Sequence, residues 1–152
     1  MFTRKLAILS ALIFVMLGAT GQQTPQSVIL PSSEAKNLKF FGLPGKVTGH
    51  WNPERPDAEA LERNLDQVTA LDSKTWGSAF HIQHPEKYYR QYVGVGLNNR
   101  RLIFVDAFCD LKGFDYWQQH LVIVSDGATC FWQALYDPQS SKFTYLEING
   151  RG

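Results

Sequence analysis

An α+β fold, one amphipathic helix packed on an antiparallel sheet of about five strands, follows from three features of this 152-residue chain. One stretch near the middle carries the apolar period of a helix buried along a single stripe. From residue 88 onward the chain reads as short segments of alternating or continuously apolar residues, as strands do. Between those segments lie tight-turn signals, which join neighbouring strands antiparallel. A composition of 44% hydrophobic and 19% charged residues suits a single ordinary globular core.

The chain opens with MFTRKLAILSALIFVMLGATG, residues 1–21. Arg4 and Lys5 precede an apolar run from Leu6 to Leu17, and small residues close the segment, which is the layout of a cleavable export signal. The run is too short to span a bilayer stably, so no membrane anchoring is expected after cleavage. The 15 basic and 14 acidic residues become 13 and 14 once Arg4 and Lys5 are removed, a net charge of −1. A near-neutral domain has no electrostatic claim on nucleic acid or anionic lipid. Residues 22–37, rich in Gln, Pro and Ser, are expected to form a flexible leader, and residues 38–152 a single domain, exported to the periplasm or the medium.

Residues 38–51 hold Gly and Pro at close intervals and read as irregular chain with room for a short edge strand. A helix is expected over about residues 55 to 71. Its apolar positions Ala58, Leu61, Leu65, Val68 and Leu71 are spaced 3, 4, 3 and 3. Pro56 suits the first turn, and Asp57 and Glu59 sit at the positive end of the dipole. Then come the strands YYRQYVGVGL and RRLIFVDAFC, flanking Asn98-Asn99, whose side chains tolerate positive φ. HLVIVSD and TCFWQALYD flank Gly127-Ala128 as a second hairpin, and FTYLEING follows a turn at Asp137-Pro138.

The order of one helix followed by an antiparallel meander resembles the cystatin-like superfold, which includes the nuclear transport factor-like proteins. The strings YYRQYVGVG, RRLIFVDAFC and DGATCFWQALYDPQSSKFTYLEING are similar to those of a group of small uncharacterised exported bacterial proteins, a likeness that implies shape and export only. The inhibitory loop of cystatins, Gln-x-Val-x-Gly, is not reproduced, since Gln91-Tyr92-Val93-Gly94-Val95 ends in Val.

Period-two alternation sorts the strands into faces. In RRLIFVDAFC the residues Ile103, Val105, Ala107 and Cys109 suit the helix. In the strand before it, Tyr89, Gln91, Val93, Val95 and Leu97 form the more apolar set and are assigned to the same core. Tyr88, Arg90, Tyr92, Phe104, Asp106 and Phe108 are left on the outer face, with Trp132, Tyr136, Tyr145 and Glu147 as further members. An aromatic face of that size marks an interface or a ligand site unless other chain covers it. The candidate ligand-binding set is Arg90, Tyr92, Phe104, Asp106 and Tyr145, with rings for stacking and two charges to orient a polar group.

The expected function is therefore an exported, non-catalytic binding or interaction module for a protein partner, a second copy of the chain, or a small ligand or glycan. An enzyme is the third reading. Asp106 between Phe104 and Phe108 resembles the carboxylate that some ketosteroid isomerase relatives hold in a hydrophobic cone, where desolvation makes it a usable acid or base. Against this stands a plain structural ion pair of Asp106 with Arg90. No Gly-rich phosphate loop, Ser nucleophile elbow or Cys-x-x-Cys occurs, so neither cofactor nor catalytic residue is expected. His81, His84 and Glu86 lie close in sequence, but Pro85 argues against the helix a metal would need there.

Export favours a disulfide between Cys109 and Cys130, which are the only cysteines. A plain meander would instead hold them about 20 Å apart, whereas a disulfide needs Cα atoms within about 7 Å. The two expectations agree only if the segment DLKGFDYWQQ travels the length of the sheet rather than turning straight back.

Overall fold

The structure, a computed structural model, describes residues 26–151. The expected signal peptide lies outside the described residues. Six strands make one mixed sheet: β1 (Ser27–Ile29), β2 (Val47–Trp51), β3 (Tyr89–Leu97), β4 (Arg100–Phe108), β5 (Phe131–Asp137) and β6 (Lys142–Ile148). β3 to β6 lie side by side and antiparallel. On the free side of β3, β1 pairs parallel with its first half and β2 antiparallel with its second half. β1 arises within the stretch expected to be a flexible leader. From Ser27 that stretch is built into the sheet, and a 3-10 segment, Ser32–Phe40, buries Ala35 and Leu38.

The helix expected over about residues 55 to 71 starts on the expected residue but is α-helical only to Arg63. Helix α1 (Arg55–Arg63) starts at a reciprocal cap in which the Glu54 N–H donates to Asp57 Oδ2 at 2.8 Å, with Pro56 in the first turn. Asn64 breaks the regular helix, its Nδ2 donating to Ala60 O at 2.8 Å, and a 3-10 segment, Leu65–Ala70, continues the same buried line through Leu65 and Val68. Asn98 and Asn99 both adopt positive φ, 50° and 62°, in the β3–β4 turn, as the hairpin requires.

One expected strand does not form. Residues 120–126 leave the sheet and lie across its face, because side chains occupy their backbone groups. The Val122 N–H donates to Gln91 Oε1 at 2.8 Å, the Leu121 N–H to Glu34 Oε2 at 3.0 Å, and Val124 O accepts from Asn149 Nδ2. β4 and β5 are therefore direct neighbours, and Phe108 pairs with Phe131. That register brings the flanking cysteines together, and Cys109 and Cys130 are bonded with Cα atoms 5.0 Å apart.

The sheet is buried on both faces. On one, α1 and its extension pack Leu61, Leu65 and Val68 against Tyr92, Ile103, Val105, Ala107, Trp132, Ala134 and Tyr136. On the other, Leu30, Ala35, Leu38 and Leu121 cover Val93, Val95, Phe104 and Leu135, while Trp117 and Val122 cover Phe108. The aromatic outer face inferred from the alternation is thus a second interior. The faces of β4 fell as expected; those of β3 are reversed, since Tyr92 pairs with Val105 and Val93 with Phe104.

Candidate functional site

The reversal splits the five residues proposed as one ligand site. Arg90 and Tyr92 lie on the helix face, whereas Phe104, Asp106 and Tyr145 lie on the other. Arg90 is 4% exposed and every edge of its guanidinium is engaged. It pairs with Glu62 of α1 at 3.1 Å, and its Nη1 donates to Pro85 O at 3.1 Å and Glu86 O at 3.2 Å. The Tyr92 hydroxyl also donates to Glu62, and burial, then the Glu62 charge, pushes its phenol far up. This cluster fastens the helix to β3 and leaves Arg90 nothing to offer a ligand. The Arg90–Asp106 ion pair weighed above is excluded, because the two side chains leave opposite faces.

On the other face a polar row crosses the sheet. Gln91, Asp106, Gln133 and Glu147 stand in register on β3, β4, β5 and β6. Gln91 holds the covering segment, accepting from the Val122 N–H and donating to His120 O at 2.7 Å and to Trp117 O. Asp106 is fully enclosed. Its Oδ1 accepts from Gln133 Nε2 at 3.0 Å, and its Oδ2 has no hydrogen-bond partner among the described residues. Burial pushes the Asp106 carboxyl up to about 8, only partly opposed by Gln133, so the group is neutral at pH 7.

The row surfaces in a cleft of about 370 Å³. Gln133 and Glu147 line it from the sheet, and Phe40–Gly42, Lys74–Trp76, Ile123–Ser125 and residues 148–150 surround it. Each wall is tied to β6 or the residues just after it. Tyr145 Oη donates to Gly42 O at 2.8 Å, the Lys74 N–H to Leu146 O at 2.9 Å, Trp76 Nε1 to Ile148 O at 3.0 Å, and Asn149 Nδ2 to Asp126 O at 3.1 Å. Phe40 and Ile123, 61% and 42% exposed, are two of the few large apolar side chains the described chain leaves in solvent, and both stand at this cleft.

Three of the proposed site residues therefore support the cleft from behind. Phe104 packs on Phe41 with ring centroids 4.9 Å apart, Tyr145 holds Gly42, and Asp106 fixes Gln133. Phe40, Ile123 and Gln133 are the site residues that sequence reasoning missed. A glutamine inside each of two apolar strands, YRQYVGV and FWQALYD, was the available signal, since a buried amide needs a stated use. Among the described residues that line the cleft, Lys74 and Glu147 carry charge, Gln133 and Asn149 offer amides, and Phe40 and Ile123 offer apolar contact. Comparison of the chain with protein-family models, with curated proteins and with solved structures gives no match.

Proposed function

We propose that the protein is an exported binding module that takes a small amphiphilic ligand into the cleft over Gln133, with no catalysis of its own. The observation that carries this reading is the pairing of exposed Phe40 and Ile123 with a polar floor of Gln133 and Glu147. A concave site with an apolar mouth and a few fixed polar groups is the usual form of a small-molecule pocket. Gln133 is held still by a neutral, buried Asp106, which supports recognition of an uncharged polar group, such as an amide, by a preorganised partner. The leader-like residues 1–21 and the Cys109–Cys130 bond support export. The succession of α1 and the antiparallel strands β3 to β6 supports a cystatin-like plan for that half of the chain.

The test is a titration of ¹⁵N-labelled protein with phenylacetamide, an aromatic body bearing a primary amide. The Gln133 side-chain amide and the Ile123 backbone amide are expected to shift, and Phe40→Asp, at an exposed position, should abolish the shifts without lowering the melting temperature. Shifts confined to another surface, or unchanged in Phe40→Asp, would sink the reading.

A further inference from the structure

We propose that a second site, independent of the Gln133 cleft, holds the carboxylate of a small ligand on the guanidinium of Arg101. The site lies where the β3–β4 turn, the end of β5 and the end of β2 meet, in a cleft of about 420 Å³ lined by Trp51, Asp57, Asn99, Arg100, Arg101 and Asp137 among others. Its construction begins with two glycines. Trp51 pairs with Gly94, and the bare positions Gly94 and Gly96 let the backbone of β2 lie close on β3; from there the Trp51 indole reaches past β3 and donates from Nε1 to Leu102 O on β4 at 3.0 Å. The ring is thereby fixed, and the Arg101 guanidinium lies over it, 4.1 Å from the centroid. Cation–π attraction holds the guanidinium over the indole, and with no side-chain hydrogen bond from Arg101 among the described residues its N–H groups stay available to a planar, two-point acceptor.

The charges in the cleft choose the ligand. Arg100 is spent on Asp137, which is buried and also accepts from the Gln139 N–H at 3.0 Å and from Ser140 Oγ at 2.9 Å. Asp57 caps α1 through the Glu54 N–H. Of the two arginines that line the cleft, Arg100 is paired and Arg101 has no carboxylate within ion-pairing distance among the described residues, although it is exposed. Arg100 and Arg101 balance Asp57 and Asp137, so the cleft is neutral as a whole with Arg101 the cation outside an ion pair; a monoanion adds one negative charge there, whereas a phosphate dianion adds two beside the carboxylates. A carboxylate also has the planar geometry that a guanidinium fork binds at two points, and the remaining volume takes a small body beside Asn99.

Two sources share that chemistry, a sugar acid and the C-terminus of a peptide, and the experiment separates them. The full mature chain is titrated with sodium glucuronate and with N-acetylglycine, each beside its neutral methyl ester or amide, while the Trp51 indole N–H resonance is followed. The Trp51 signal is expected to move with one acid or both, with at least about tenfold weaker binding of the neutral counterpart and of Arg101→Met. Arg101→Lys, which keeps the charge and loses the fork, should weaken binding several-fold. Glucuronate alone would assign a sugar acid, and N-acetylglycine alone a peptide terminus. Absence of any Trp51 shift up to about 10 mM of either acid, equal binding of acid and neutral forms, or undiminished binding by Arg101→Met overturns the proposal. Arg101 is solvent-exposed, so its variants retain the fold, and an unchanged spectrum for the Gln133 cleft separates failure of this site from failure of that one.

Discussion

A buried arginine and a buried aspartate stand on opposite faces of this sheet, and only the arginine has a counter-charge. Arg90 meets Glu62 and three backbone carbonyls, so its charge is retained inside the molecule. Asp106 meets only an amide, and its carboxyl keeps its proton instead. The sign of the resulting pH dependence is opposite to that of an ordinary paired carboxylate. Between the unfolded value of 3.8 and the folded value of about 8 the native state binds a proton that the unfolded state has released. Stability from this group is therefore fully present below pH 3.8 and is lost as pH rises toward 8, at a slope of up to about 1.4 kcal/mol per pH unit. Glu34 works the other way: burial alone would raise it, but the Leu121 N–H, His120 and Asn37 hold it below its ordinary 4.5, so its contribution disappears only as pH falls below that value. Urea unfolding at pH 5 and pH 8 isolates Asp106 from Glu34. The native chain should lose stability across that interval, and Asp106→Asn should lose markedly less. Any penalty for the buried Asn amide applies at both pH values, so the slope is the readout, and identical slopes in the two proteins would refute the assignment.

At the scale of elements, β2 depends on an absent side chain. A Cβ at Gly94 would sit 2.1 Å from Trp51 O and 2.7 Å from Pro53 Cδ, so Gly94→Ala must displace β2 from β3. A loss of about 1–3 kcal/mol in chemical denaturation is expected, with a shifted Trp51 indole resonance. Gly42→Ala, where a Cβ meets nothing within 4 Å, is the control and should stay within about 0.5 kcal/mol. The far edge of the sheet is closed differently. β6 is capped by Gln67 Oε1 on the Phe143 N–H at 3.1 Å and by the Lys74 and Trp76 contacts, which leaves little of its outer ladder for another chain. α1 was legible in the sequence because its apolar positions face one way and its cap is local. The pleat of β3 was not, because a sheet covered on both sides has no solvent face to mark it, and Arg90 and Tyr92 read as outward residues until Glu62 is placed beside them. Residues 120–126 have a strand's composition; what removes them from the sheet are Glu34, Gln91 and Asn149, between 25 and 87 positions away. The Gln133 cleft shares that difficulty, since its walls come from four separate stretches of chain.

The described residues form three layers, with a mixed sheet between α1 on one side and two covering segments on the other. Only one covalent link joins the layers' connections. Cys109 and Cys130, separated by 21 positions, close a ring around the whole β4–β5 excursion, and closure of a ring that size stabilises by about 3 kcal/mol. Non-reducing peptide mapping should return Cys109 linked to Cys130, and reduction should lower the unfolding free energy by about that amount while the sheet persists, since Phe108 and Phe131 remain partners without the bond. Maleimide labelling of both thiols in denatured, unreduced protein would contradict the bond. The ring also confines what it encloses. Leu121-Val122-Ile123-Val124 is a continuous β-branched and apolar run, the composition that seeds intermolecular cross-β stacking when it is loose. Held inside a closed ring, with Leu121 and Val122 buried and their N–H groups committed to Glu34 and Gln91, its first half is withdrawn from a neighbouring chain. The same bond that adds modestly to stability thus acts as a guard against aggregation, and a cell compartment that reduced it would first endanger the protein's solubility.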